Sequence, residues 1–159
     1  MIHVSVQQAV FDVSAEMERL AKGDAGIGAV ASFVGLVRDS NQVGEQSSDV
    51  AGMTLEHYPG MTEKALTRIA EQASDRWQLQ AVTIVHRVGR LRPGEPIVLV
   101  MTASPHRHDA FDACQYVMDI LKTEAPFWKK ETLPDGAERW VESRKSDSDA
   151  AGRWEDDGF

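Results

Sequence analysis

The chain has 159 residues, and 17 Lys plus Arg against 25 Asp plus Glu leave a formal net charge of −8. A domain of this length buries a core without staples, and the acidic balance excludes broad phosphate-backbone binding while leaving room for a small basic pocket. A single cysteine, Cys114, excludes an internal disulfide framework and a Cys-rich zinc site.

The first residues, from Met1 to Val6, show no basic stretch followed by an apolar one, so no signal peptide is expected. No apolar run approaches the roughly 18 residues of a membrane span, and the cytoplasm is the expected compartment. Ile2, Val4 and Val6 alternate with polar neighbours as in a half-buried strand. Asp12 or Ser14 caps a short helix through Met17, Leu20 and Ala21, which stops at Lys22-Gly23. Residues 26–37, GIGAVASFVGLV, read as a buried strand whose glycines mark bulges or close backbone approach. Residues 38–52 are polar and aperiodic, the pattern of a mobile loop.

Residues 53–58 alternate as a strand, Pro59-Gly60 breaks it, and Thr62 with Glu63 opens a helix. Leu66, Ile69, Ala70, Ala73 and Trp77 give that helix one apolar face. Residues 81–88 and 96–103 read as strands joined by a turn over 89–95. A long helix follows, with Ser104 as N-cap and Pro105 in its first turn, to Glu124. Phe111, Cys114, Met118 and Leu121 form its expected apolar stripe, and Pro126 stops it. Residues 127–133 and 138–141 make a hairpin around Pro134-Asp135-Gly136. Residues 146–159 form a polar, acidic tail, expected to be ordered only in part. Strict β-α-β alternation fails, so the expected class is α+β, a largely antiparallel sheet packed against helices in one domain spanning 1–159.

The densest chemistry lies in residues 121–131, LKTEAPFWKKE. At about 100° per residue, Lys122 falls about 20° from Phe111, flanking the expected stripe. It reads either as a snorkelling lysine that suits a helix C-terminus or as a site residue. Lys129 and Lys130 point to opposite faces of a strand, so at most one of them joins Phe127. A lysine beside aromatics in a partly dry pocket can hold an anion. A second cluster, Ser104-Pro105-His106-Arg107-His108-Asp109, opens the long helix, where free N–H groups and Arg107 favour an anion. Its His-x-His-Asp run superficially resembles part of a zinc hydrolase signature, but only His3, His57 and His86 remain to complete a ligand set, and no metal is expected. Cys114 falls on the apolar stripe, as a buried core thiol would.

The ordered series GAVASFVGLVRDSN, LEHYPGMTEKAL, IVHRVGRLRPGE, SPHRHDAF, LKTEAPFWKKE and RWVESRKSD resembles the large, catalytic subunit of molybdopterin synthase, from about Gly28 to Trp154. The resemblance implies an α/β hammerhead-type fold and a central homodimer. It implies that each large subunit binds one small ubiquitin-like carrier ending in a Gly-Gly thiocarboxylate, giving a heterotetramer. It further implies transfer of two sulfurs to cyclic pyranopterin monophosphate (precursor Z), making the dithiolene of molybdopterin, with no cofactor. Matched to the family's motifs, Lys122 and Lys129 are the catalytic pair. Leu36, Val37, Arg38, His106, Arg107, Lys130, Glu131 and Arg144 fall in its substrate-binding segments. Leu36 and Pro105 depart from the residue types usual there.

The chemistry of those residues agrees with this. When sulfur arrives on a partner, the enzyme needs no cysteine; it needs cationic donors for a phosphate, for the incoming C-terminus and for charge developing in acyl transfer. If residues 107–122 form one helix, Arg107 and Lys122 stand about 22 Å apart. They cannot easily line one small pocket of one chain. A composite site is therefore expected, with Lys122 and Lys129 from one protomer and His106, Arg107 and Arg144 from another. Two other readings are a binding module that docks a ubiquitin-like partner without chemistry, and a metal-dependent hydrolase built on His106 and His108.

Overall fold

The computed structural model describes residues 1–43, 46–141 and 145–155. In chain order the elements are β1 (Ile2–Gln7), α1 (Val13–Ala21), β2 (Ala29–Leu36), β3 (Ser40–Val43), β4 (Gln46–Asp49), β5 (Gly52–His57), α2 (Met61–Trp77), β6 (Ala81–Arg87), β7 (Gly89–Leu91), β8 (Pro96–Ser104), α3 (Arg107–Glu124), β9 (Phe127–Thr132), β10 (Glu138–Val141) and α4 (Lys145–Gly152). One sheet runs β1-β6-β8-β2 and is parallel only between β1 and β6. A second, β10-β9-β5-β7, is antiparallel throughout. The class is α+β, as the failed alternation implies. Among the described residues no helix is long and apolar enough to cross a membrane.

Period-two patterning builds the core. Val82 and Ile84 of β6 pack with Leu66, Ile69, Ala70 and Ala73 of α2 and with the buried face of α3. Ala81 and Val85 pack on the opposite side with Phe11 and with Leu20 of α1. Both faces of β6 are covered, so every residue of it is buried. A third cluster, Val37, Leu55 and Leu91, ties the second sheet to the chain leaving β2. Of the two capping candidates for α1, Asp12 serves: its carboxylate accepts from the Ala15 N–H at 3.0 Å.

Several expectations are corrected. Residues 26–37 do hold a strand, but it starts at Ala29 and only Ala31 is buried. β2 is an outer strand, so Phe33, Val34 and Leu36 stay exposed; apolar composition alone does not distinguish an edge from a centre. Its glycines act as expected. The register shifts between Gly35 and Leu36, and a Cβ on Gly28 would stand 2.1 Å from the Pro105 carbonyl oxygen. Within 38–52, residues 40–43 and 46–49 pair as the β3–β4 ribbon, because a backbone ladder needs no apolar face. Residues 44 and 45, within the same expected loop, lie outside the described residues. The turn over 89–95 contains β7, which pairs with β5.

Helix α3 starts at Arg107 with His106 as N-cap, so Pro105 precedes the helix. Ser104 instead clasps His106, accepting from its N–H at 3.1 Å and donating to its carbonyl at 2.8 Å. The buried stripe of α3 runs through Ala110, Ala113, Cys114, Val117, Met118 and Leu121, while Phe111 is 66% exposed. The alanines, one step round the helix, carry the face that the larger Phe111 was expected to carry. The acidic tail is helical as α4 and continues to a Trp154 anchor. The indole N–H of Trp154 donates to Asp119 at 2.7 Å, and its ring meets Trp77 and Tyr116 edge-on. Residues 156–159 lie outside the described residues.

Candidate functional site

The reversal between α3 and β9 positions the site. The Ala125 N–H bonds to the Leu121 carbonyl at 3.2 Å, and Pro126, with no N–H, ends the helix. Thr62 at the start of α2 holds this reversal. Its buried hydroxyl donates to the Pro126 carbonyl at 3.2 Å and accepts from the Tyr58 N–H at 3.0 Å. Along β9, alternation then sends Phe127, Lys129 and Glu131 to one face and Lys130 to the other.

Lys122 from the last turn of α3 and Lys129 from β9 thereby line one cavity of about 730 Å³, within the range of small-molecule sites. Leu36, Val37 and Arg38 line it from the end of β2, and Glu131 and Asp147 add carboxylates. Leu36 is exposed and Val37 buried. Glu131 is 1% exposed, and Arg139 of β10 donates to its carboxylate at 2.8 and 3.2 Å. That carboxylate is neutralised from behind, and Arg38, Lys122 and Lys129 give the cavity a cationic wall on a chain of net charge −8. Such a wall offers charged donors to an anion.

Other candidates lie elsewhere. The Lys130 ammonium sits 3.4 Å from the Glu138 carboxylate and 5.2 Å over the Trp140 ring, away from the cavity. His106 and Arg107 are exposed at the opposite end of α3, about 22 Å along the axis from Lys122. Arg144 lies outside the described residues. Among the described residues, no three His, Cys, Asp or Glu side chains gather closely enough to hold a metal.

Two ionisable cavity residues were not sequence candidates, Asp147 and His86. His86 is 4% exposed, its Nδ1 lies 2.8 Å from the Arg87 carbonyl, and its ring stacks on Phe127 at 3.8 Å. Burial first, then the nearby Lys129 and Lys122, push its pKa from 6.5 down to about 3, against the opposing effect of the backbone bond. The signal was available as a lone imidazole in the apolar run AVTIVHRV. Nothing in the sequence placed Asp147, which reaches the site only through the docking of α4.

A family model described as MoaE protein matches residues 6–124. The molybdopterin synthase catalytic subunit of Pseudomonas aeruginosa is 58% identical over 153 residues, covering 96% of this chain and 99% of that protein. A solved molybdopterin biosynthesis MoaE protein from Burkholderia ambifaria superposes with a TM-score of 0.81 at 54% identity, over 98% of this chain and 99% of that one. The protein–protein complex of subunits 1 and 2 of molybdopterin-converting factor from Helicobacter pylori shares the fold, with a TM-score of 0.71 at 19% identity over 89% and 91% of the two chains. The cationic cavity thus sits in a chain that belongs to the MoaE family of molybdopterin synthase catalytic subunits, enzymes of molybdenum-cofactor biosynthesis.

Proposed function

We propose that the chain transfers sulfur to cyclic pyranopterin monophosphate from the thiocarboxylated Gly-Gly end of a small ubiquitin-like carrier. The observation that carries this reading is the convergence of Lys122, Lys129 and Arg38 on one cavity. The chain's only thiol is no rival sulfur source. Cys114 is buried on α3, and burial pushes its pKa up to about 11. Sulfur therefore comes from outside, and the complex of two subunits seen for the Helicobacter pylori relative supports a carrier partner of this kind.

Lys122 works at the thiocarboxylate carbon and the reacting pterin side chain. Once the carrier's sulfur has bonded to the pterin, water adds to the acyl carbon and builds negative charge on its oxygen, which a nearby ammonium stabilises more than it stabilises the ground state. Collapse then breaks the acyl–sulfur bond, leaving the sulfur on the pterin and a carboxylate on the carrier. Lys129 binds or polarises the pterin, and Arg38 holds an anionic part of it, with Leu36, Val37 and Glu131 shaping the same pocket. Lys130 supports the binding segment from the other face of β9. His106, Arg107 and Arg144 belong to the pocket of a second copy, which makes a homodimer, and with two carriers a heterotetramer, the working unit in the cytoplasm.

Reconstitution with thiocarboxylated carrier and precursor Z, scoring molybdopterin, tests the reading. Lys122→Ala is expected to lower turnover by about 10²–10³-fold. Lys122 is exposed and has no ion pair among the described residues, so the variant keeps its fold. A folded variant with near-normal turnover would remove Lys122 from the mechanism.

A further inference from the structure

We propose that His86 is a substrate-positioning residue of this cavity, its Nε2 accepting a hydrogen bond from an N–H or O–H group of the pterin. The assignment rests on the function proposed above. An imidazole within a strand covered on both faces needs compensation, and His86 has only half of it. Its Nδ1 meets the Arg87 carbonyl. A carbonyl can only accept, so Nδ1 carries the hydrogen and Nε2 is left with a bare lone pair. Among the described residues nothing bonds to Nε2, and it is not among the occluded polar atoms without a partner; it opens on the cavity that His86 lines. The Arg87 bond and the Phe127 stack fix the plane of the ring.

The neighbouring chemistry calls for such an acceptor. Arg38, Lys122 and Lys129 can only donate, the Glu131 carboxylate is engaged by Arg139, and Asp147 adds a charged carboxylate from α4, so His86 is the uncharged ring acceptor of the cavity. A heterocycle carrying its own N–H groups needs an acceptor in the same hollow. His86 does not act as a base: with a pKa of about 3 it takes no proton from an ammonium or from the pterin, and it stays neutral through the working range. Its contribution is orientation.

The test is steady-state kinetics of the reconstituted enzyme with three variants, alongside wild type. His86→Phe keeps the stacked ring and removes the acceptor. It is expected to raise KM for precursor Z about tenfold while kcat falls by no more than about threefold. His86→Gln, whose amide oxygen reaches near the Nε2 position, restores KM to within about threefold of wild type. His86→Asn, too short to do so, behaves like His86→Phe and takes its place if that variant fails to fold. KM for the carrier stays unchanged in all three. An unaltered KM for precursor Z in folded His86→Phe or His86→Asn overturns the assignment, as does a Gln variant no better than Phe. Failure of the wild type itself to form molybdopterin overturns the underlying function instead, which keeps the two failures distinguishable.

Discussion

Mixing two inactive variants puts the composite site to its sharpest test. α3 is a single unbroken helix from Arg107 to Glu124, so Arg107 and Lys122 are held about 22 Å apart in any one chain. Take Lys122→Ala and Arg107→Ala, each expected to be inactive when refolded alone, then unfold, mix in equal amounts and refold them together. Random pairing makes about half of all dimers mixed. In a mixed dimer one pocket collects both defects and the other collects neither. Half the pockets of half the dimers are then intact, and about a quarter of wild-type activity returns. The assay is molybdopterin formation with excess carrier and precursor Z, with each variant refolded alone as the baseline. If the mixture stays at that baseline while native mass spectrometry shows mixed dimers, the two residues serve the same chain's pocket or none, and the geometric reasoning fails.

Gly28→Ala sets a Cβ 2.1 Å from the Pro105 carbonyl oxygen, so the turn that carries His106 must move. Overpacking of this kind costs about 1–3 kcal/mol, a Tm loss of about 2–12 °C for a domain of this size; an unchanged Tm in a thermal scan would contradict the contact. His86 has a pKa lowered from 6.5 to about 3, so the unfolded chain binds the extra proton between those values. Its contribution to stability is present above about pH 6.5 and is lost as pH falls towards 3. Denaturant midpoints followed over that interval should fall less steeply for His86→Phe than for wild type, and identical slopes would count against the burial argument. Cys114, with its pKa pushed up to about 11 by burial, should resist iodoacetamide at pH 8 in the folded protein and react once the chain is unfolded. Mass spectrometry reads the difference, and rapid labelling of folded protein would show the thiol to be open.

Elements with a strong period were legible. The α2 face and the β9–β10 hairpin follow from spacing and turn chemistry, because burial selects positions three and four apart or two apart. The site lysines were legible as residue types, and so was the separation of Arg107 from Lys122. What the sequence withheld depends on neighbours. β2 reads like a central strand until its place at the sheet edge is known. Phe111 outranks Ala110 and Ala113 by size, yet the alanines let α3 approach the sheet closely. Ser104 is a good cap by type, but its hydroxyl is spent on His106. His86 and Asp147 come to the cavity through β6 and through the docking of α4, and a local window contains neither arrangement.

The pairing of Glu131 with Arg139 leaves the hollow cationic while the molecule around it carries an excess of negative charge. An anion approaching from a distance meets repulsion; within a few ångströms it meets attraction. Counter-ions damp the far field over about 8 Å at physiological salt, while the close contacts between a bound anion and the cavity's donors lie well inside that distance. Added salt therefore hastens arrival while shortening residence only modestly, and the rate of capture and the strength of hold respond to ionic strength in opposite senses.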